Sequence, residues 1–129
     1  MEVKIPIGEK KTKKFTVQKE HLASFLGSGN VNVLSTPQMI AWMEHVSRIL
    51  LDQYMPEGHT TVGYHVDVYH LKPAPLGSLV EVTAEIIKQE GRKITLKVSA
   101  KLGEKTIGGG YHERYIINLE KFSEKTKKA

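Results

Sequence analysis

Three residues in this chain carry reactive side chains where the surrounding pattern is apolar: Thr36, Glu44 and His70. A hydroxyl, a carboxylate and an imidazole brought together can orient a nucleophile and move protons. Each also has a plainer reading. Thr36 opens a helix, where threonine often caps the first turn. Glu44 can pair with Arg48 one turn further on. His70 alone can be a satisfied core histidine. Three independent exceptions that converge are harder to explain as packing, so the three are expected to meet at one place. The other histidines point elsewhere. His65 lies on the opposite strand face from His70, His45 points about 100° around the helix from Glu44, and strand alternation sends His112 and Glu113 to opposite faces. The chain has no cysteine, which excludes disulfides, thiolate zinc sites and a cysteine nucleophile. No metal site is expected. No G-x-S-x-G, phosphate-binding loop or dinucleotide fingerprint occurs.

The elements that must position these residues follow from periodicity. Ser35-Thr36-Pro37 is a helix start, with hydroxyls for capping and a proline suited to the first turn. Met39, Ile40, Trp42, Met43, Val46, Ile49, Leu50, Leu51 and Tyr54 then cover most of a helix circumference, the mark of a buried helix. Glu44 is therefore expected to be poorly solvated. Met55-Pro56-Glu57-Gly58 ends the helix. The period then changes to two, with Val62, Tyr64, Val66, Val68 and His70 on one strand face and Gly63, His65, Asp67 and Tyr69 on the other. Strands are expected over Val80–Ile86, Ile94–Leu102 and Thr106–Asn118, with turns at Glu90-Gly91-Arg92 and Gly103-Glu104-Lys105. A short strand near Lys13–Val17 precedes a loop, Glu20–Asn32, with room for one helical turn. Gly108–Gly110 marks a bulge or a close approach of another backbone or a ligand. One long helix followed by four antiparallel strands implies an α+β architecture, a curved sheet wrapped around one helix. Its edge strands favour dimerisation.

At 129 residues the chain is one domain's worth, 1–129, with 1–12 and 123–129 read as flexible ends. No apolar run approaches the roughly 20 residues of a membrane span, and no signal peptide is evident, so a cytoplasmic location is expected. The net charge of +5 concentrates in Lys10–Lys14 and Lys121–Lys128. It reads as solvated tails, or as a field attracting phosphorylated metabolites. RNA-binding motifs and aromatic-basic interleaving are absent, so no nucleic-acid partner is expected.

The stretches STPQMIAWMEH, GYHVDVYHLKPAP, EGRKITLKVSA and IGGGYHERYIINLEKF resemble the hotdog-fold acyl-CoA thioesterases, in particular those of the fluoroacetyl-CoA thioesterase type. The resemblance runs from about Val33 to Phe122 and carries Thr36, Glu44 and His70 at matching spacing. It implies a curved sheet around one helix, and hydrolysis of an acyl-CoA thioester to free acid and CoA. Glu44 would be nucleophile or general base, His70 would move protons and contact substrate, and Thr36 would hold the geometry. Gly63 and Arg114 would bind substrate. Without the resemblance, Gly63 reads equally as a strand irregularity and Arg114 as a surface ion pair with Glu113 or Glu120. No cofactor is implied beyond coenzyme A within the substrate, and a homodimer or dimer of dimers is expected. One departure stands out: where the family has a phenylalanine-bearing lid, Glu20–Asn32 has only Phe25, with Gly27 and Asn30 at the aligned positions. The acyl specificity is therefore not carried over. Two other activities fit the same pattern: a non-catalytic acyl-CoA binder, and an enoyl-thioester hydratase.

Overall fold

The computed structural model describes residues 3–128. Strand β1 (Lys10–Thr16) is followed by a short 3-10 turn and the one-turn helix α1 (Ala23–Leu26). The long helix α2 (Thr36–Asp52) precedes β2 (His59–His70), β3 (Leu79–Glu90), β4 (Lys93–Leu102), β5 (Lys105–Asn118) and α3 (Leu119–Lys128). The five strands form one antiparallel sheet in the order β1-β3-β4-β5-β2. β2 and β3 are thus not neighbours. Residues 71–78 carry the chain from one side of the sheet to the other, tied to Ile107, Leu34 and Val17 through backbone hydrogen bonds.

Alternation does what the sequence requires of β3 and β4. Val80, Val82, Ala84 and Ile86, with Ile94, Leu96, Val98 and Ala100, are all buried, and the helix residues Met39, Met43, Val46 and Leu50 share the same core. Each fully buried aliphatic side chain of this kind contributes about 1.5–3 kcal/mol of transfer free energy. Ser35 caps α2, its hydroxyl accepting from Gln38 N at 3.1 Å. The helix is not apolar all round in effect, because Thr36, Pro37, Ala41 and Arg48 are exposed and Glu44 is half-buried. This open stripe faces away from the sheet's centre.

Of the ends read as flexible, residues 1–2 and 129 lie outside the described residues, and secondary structure reaches into the rest of both. Ile5 is buried, and Gly8 and Glu9 pair through backbone hydrogen bonds with Ile86. Residues 119–128 are helical, started by Asn118 accepting from Lys121 N at 3.0 Å, yet α3 buries no residue. Among the described residues no helix is long and apolar enough to cross a membrane.

Candidate active site

The structure unites two of the three expected residues. Because Ser35 takes the capping role, the Thr36 hydroxyl is free, and it lies 2.8 Å from His70 Nδ1. His70 ends β2 on the face turned towards the start of α2. Its Nε2 is buried and makes no hydrogen bond within the described residues. Burial holds the His70 pKa below the ordinary 6.5, and the Lys72 backbone opposes that shift in part. The imidazole is therefore a neutral base near pH 7, fixed at one nitrogen and open at the other. Beside the pair runs a groove of about 590 Å³ lined by Gly29, Val31, Val33, Pro37, Leu71 and Pro73 among others. One wall is the 22–34 segment, folded on itself through Ala23 N to Val33 O (2.9 Å) and Ser24 N to Val31 O (3.0 Å).

Glu44 lies apart from this pair in its own chain, so the three expected residues do not meet within one chain. Eight residues of helix place it about 12 Å beyond Thr36. Its side chain is 42% exposed, so the poorly solvated carboxylate expected from the apolar run is not found. Nor does it pair with Arg48, whose Nη1 instead bonds Asp52 at 2.7 Å. Glu44 faces Gly63: a Cβ there would sit 2.5 Å from Glu44 Oε2. Only glycine lets the carboxylate come so close to the β2 backbone.

A bulge explains how Gly63 faces the helix. Gly63 pairs with Arg114 and His65 with Glu113, leaving Tyr64 as an extra residue. The faces swap there, so Gly63 precedes the bulge on the helix side and Val66, Val68 and His70 follow it on that side. The sequence reading, which ran one alternation through Val62–His70, had put Gly63 on the far face.

Arg114 is not a surface ion pair. It is buried on β5, donating from Nε to Thr61 Oγ1 and from Nη2 to Thr61 O, both at 2.8 Å. Its Nη1 lies 3.9 Å from Glu44 Oε2 and 3.2 Å from His112 Nε2. His112, turned away from Glu113 as alternation requires, was not singled out by sequence. Only its alternation with the buried Ile116 marked the inward face. The Gly108–Gly110 run serves close packing: a Cβ on Gly108 would lie 2.5 Å from Met39 Sδ, and one on Gly110 would strike Asp67 O. Among the described residues no cluster of three or more His, Asp or Glu side chains forms a metal site.

A five-stranded antiparallel sheet wrapped around one long helix is the architecture of the hotdog-fold thioesterases. Residues 17–120 match the model of the family described as fluoroacetyl-CoA-specific thioesterase, and the chain belongs to that family. A fluoroacetyl-CoA thioesterase of Streptantibioticus cattleyicolor is 38% identical over 95 residues, 74% of this chain and 68% of that protein. A solved mutant of a fluoroacetyl-CoA-specific thioesterase, in complex with fluoroacetate and CoA, is 33% identical, with a TM-score of 0.86 over 92% of this chain and 99% of that one. A hot-dog-like protein of Thermanaerovibrio acidaminovorans shares the fold at 23% identity, with a TM-score of 0.88 over 95% of this chain and 91% of that one.

Proposed function

We propose that this chain is a thioesterase that hydrolyses an acyl-CoA thioester to free acid and CoA, as a single 1–129 domain acting in the cytoplasm. Thr36 and His70 of one subunit work with Glu44, Gly63 and Arg114 of the other. The observation that carries this reading is the 2.8 Å Thr36–His70 contact standing beside a free sheet edge. β2 is the outermost strand on its side, and Tyr64 and Tyr69 on it are largely exposed. Such an edge pairs readily with a second copy, and a twofold pairing is self-complementary. If the twofold falls between Val66 and Asp67, Gly63 of one copy lies beside His70 of the other. The half-site at Gly63 and Glu44 then completes the half-site at Thr36 and His70.

The chemistry follows from the groups. The thioester carbonyl accepts a hydrogen bond from a β2 backbone N–H at Gly63, which stabilises the oxyanion that forms when the carbonyl is attacked. Glu44, within reach of solvent, acts as nucleophile or as base on a water. The neutral His70 imidazole, oriented by the Thr36 hydroxyl, takes up a proton from the hydrolytic water and passes it to the departing CoA thiolate. The basic surface attracts the phosphates of CoA.

Glu44→Ala and His70→Ala should each lower turnover at least about a hundredfold, the scale of losing an acid–base group, read by thiol release from acetyl-, isobutyryl- and benzoyl-CoA. Refolding the two inactive variants together should recover about a quarter of wild-type turnover, since half the dimers are mixed and each mixed dimer holds one intact site. Absence of recovery would place all the residues in one subunit. Intact acyl-CoA retained without thiol release would make the protein a binder, and loss of enoyl absorbance without thiol release a hydratase.

A further inference from the structure

Behind Gly63 lies a buried group to which the reaction outlined above gives no task. His112 is 1% exposed. Its Nδ1 lies 2.9 Å from the carbonyl of His65, and its Nε2 lies 3.2 Å from Arg114 Nη1. A guanidinium has donors only, so Nε2 accepts, and Nδ1 carries the hydrogen and donates to His65 O. One neutral tautomer satisfies both contacts. His65 directly follows the extra residue of the β2 bulge, so the ring ties β5 to the bulge that turns Gly63 inward.

Each of the three Arg114 guanidinium nitrogens has a fixed partner. Thr61 takes Nε and Nη2, and His112 takes Nη1. What Nη1 meets on its remaining side is Glu44 Oε2, at 3.9 Å. A flexible surface pair at that distance would contribute little, but here the cation is fixed and 5% exposed. We propose that His112 is a positioning residue for the reaction: it fixes Arg114 in the orientation that keeps the Glu44 carboxylate against the Gly63 backbone. His112 itself reaches neither substrate nor the reacting atoms. The inference rests on Glu44 acting in the reaction. A hydrocarbon at position 112 would take the acceptor from Arg114 Nη1 and the donor from the His65 carbonyl where the ring itself is buried, which is costly. A protonated ring could not accept from Arg114 and would set two cations side by side.

The test uses the whole chain, its fastest substrate among acetyl-, isobutyryl- and benzoyl-CoA, and circular dichroism to check folding. His112→Phe should lower kcat about tenfold or more while KM stays within about twofold, because a small displacement of a reacting group is felt in the chemical step. His112→Gln, whose amide oxygen can accept from Arg114, should return kcat to within about threefold of wild type. Thr61→Val removes another acceptor of Arg114 and should lower kcat in the same sense as His112→Phe. Wild-type kcat in folded His112→Phe would overturn the proposal. If that variant does not fold, wild-type kcat in Thr61→Val would do so. Loss of activity that His112→Gln fails to relieve would also count against it. Full activity of Glu44→Ala would instead remove the reading on which the proposal stands, and that variant is measured separately.

Discussion

The closest steric relation in the site is between two residues that no pairwise pattern connects: a helix carboxylate and a strand glycine. A Cβ on Gly63 would meet Glu44 Oε2 at 2.5 Å, whereas Arg114 Nη1 and His112 Cε1 both lie at an ordinary 3.6 Å. The atom in conflict is the far end of a flexible side chain, so the fold has an easy escape and the reaction does not. Gly63→Ala should therefore leave the thermal midpoint within a few degrees of wild type, as substitutions that relax by side-chain movement usually do. The same variant should lower kcat by about a hundredfold, the cost of moving a reacting group by an ångström or so. Calorimetry and a thiol-release assay on one preparation read both quantities. Wild-type turnover would mean that the carboxylate does not need this position.

At the scale of elements, the start of α2 divides two jobs between adjacent hydroxyls. Ser35 accepts from Gln38 N and so carries the cap, while Thr36 turns to His70. Ser35→Ala should cost about 1 kcal/mol of stability, the usual loss of a cap, with little change in turnover. Thr36→Val should do the reverse, shifting stability by less than about 0.5 kcal/mol while lowering turnover. Urea unfolding and kinetics on both variants would check this, and equal stability losses would refute the division.

The same element shows what a sequence makes legible. Its start, its length and its apolar core face were readable because capping chemistry and 3.6-residue spacing are local. The open stripe through Ala41, Glu44 and Arg48 was not, because Ala41 and Ile40 look apolar whether or not anything covers them. The alternating cores of β3 and β4 were readable for the same local reason. The place of β2 at the sheet edge was not, since it depends on where residues 71–78 carry the chain. The bulge at Tyr64 left one trace, Gly63 itself, and a single glycine does not say which face it serves. The charged residues 119–128 offered only Leu119 and Phe122 as apolar points, too few to distinguish a helix from a solvated tail.

For the whole molecule, burial of imidazoles links folding to pH. His70 on β2 and His112 on β5 are both held below the ordinary 6.5, in each case chiefly by burial. For His112 the Arg114 charge adds to the effect, while the His65 carbonyl, Glu44 and Glu113 oppose it. His45 on α2 is lowered too, by burial and then by Lys13 and Arg48, but it is more open to solvent and its share is smaller. In the unfolded chain all three titrate near 6.5. Between that value and the lower folded values the unfolded state binds more protons than the folded one, so stability rises with pH. The stabilisation is complete above about 6.5 and drains away as pH falls below it. The urea midpoint should therefore be flat from about pH 8.5 to 7.5 and fall on acidification to about pH 5.5, a range in which histidine is the side chain that ordinarily titrates. His112→Gln should flatten that fall more than His45→Gln does, since the more buried ring contributes the larger linkage. A midpoint that holds steady down to about pH 5.5 in the wild-type chain would mean that these rings are no harder to protonate folded than unfolded, and that burial does not hold them neutral.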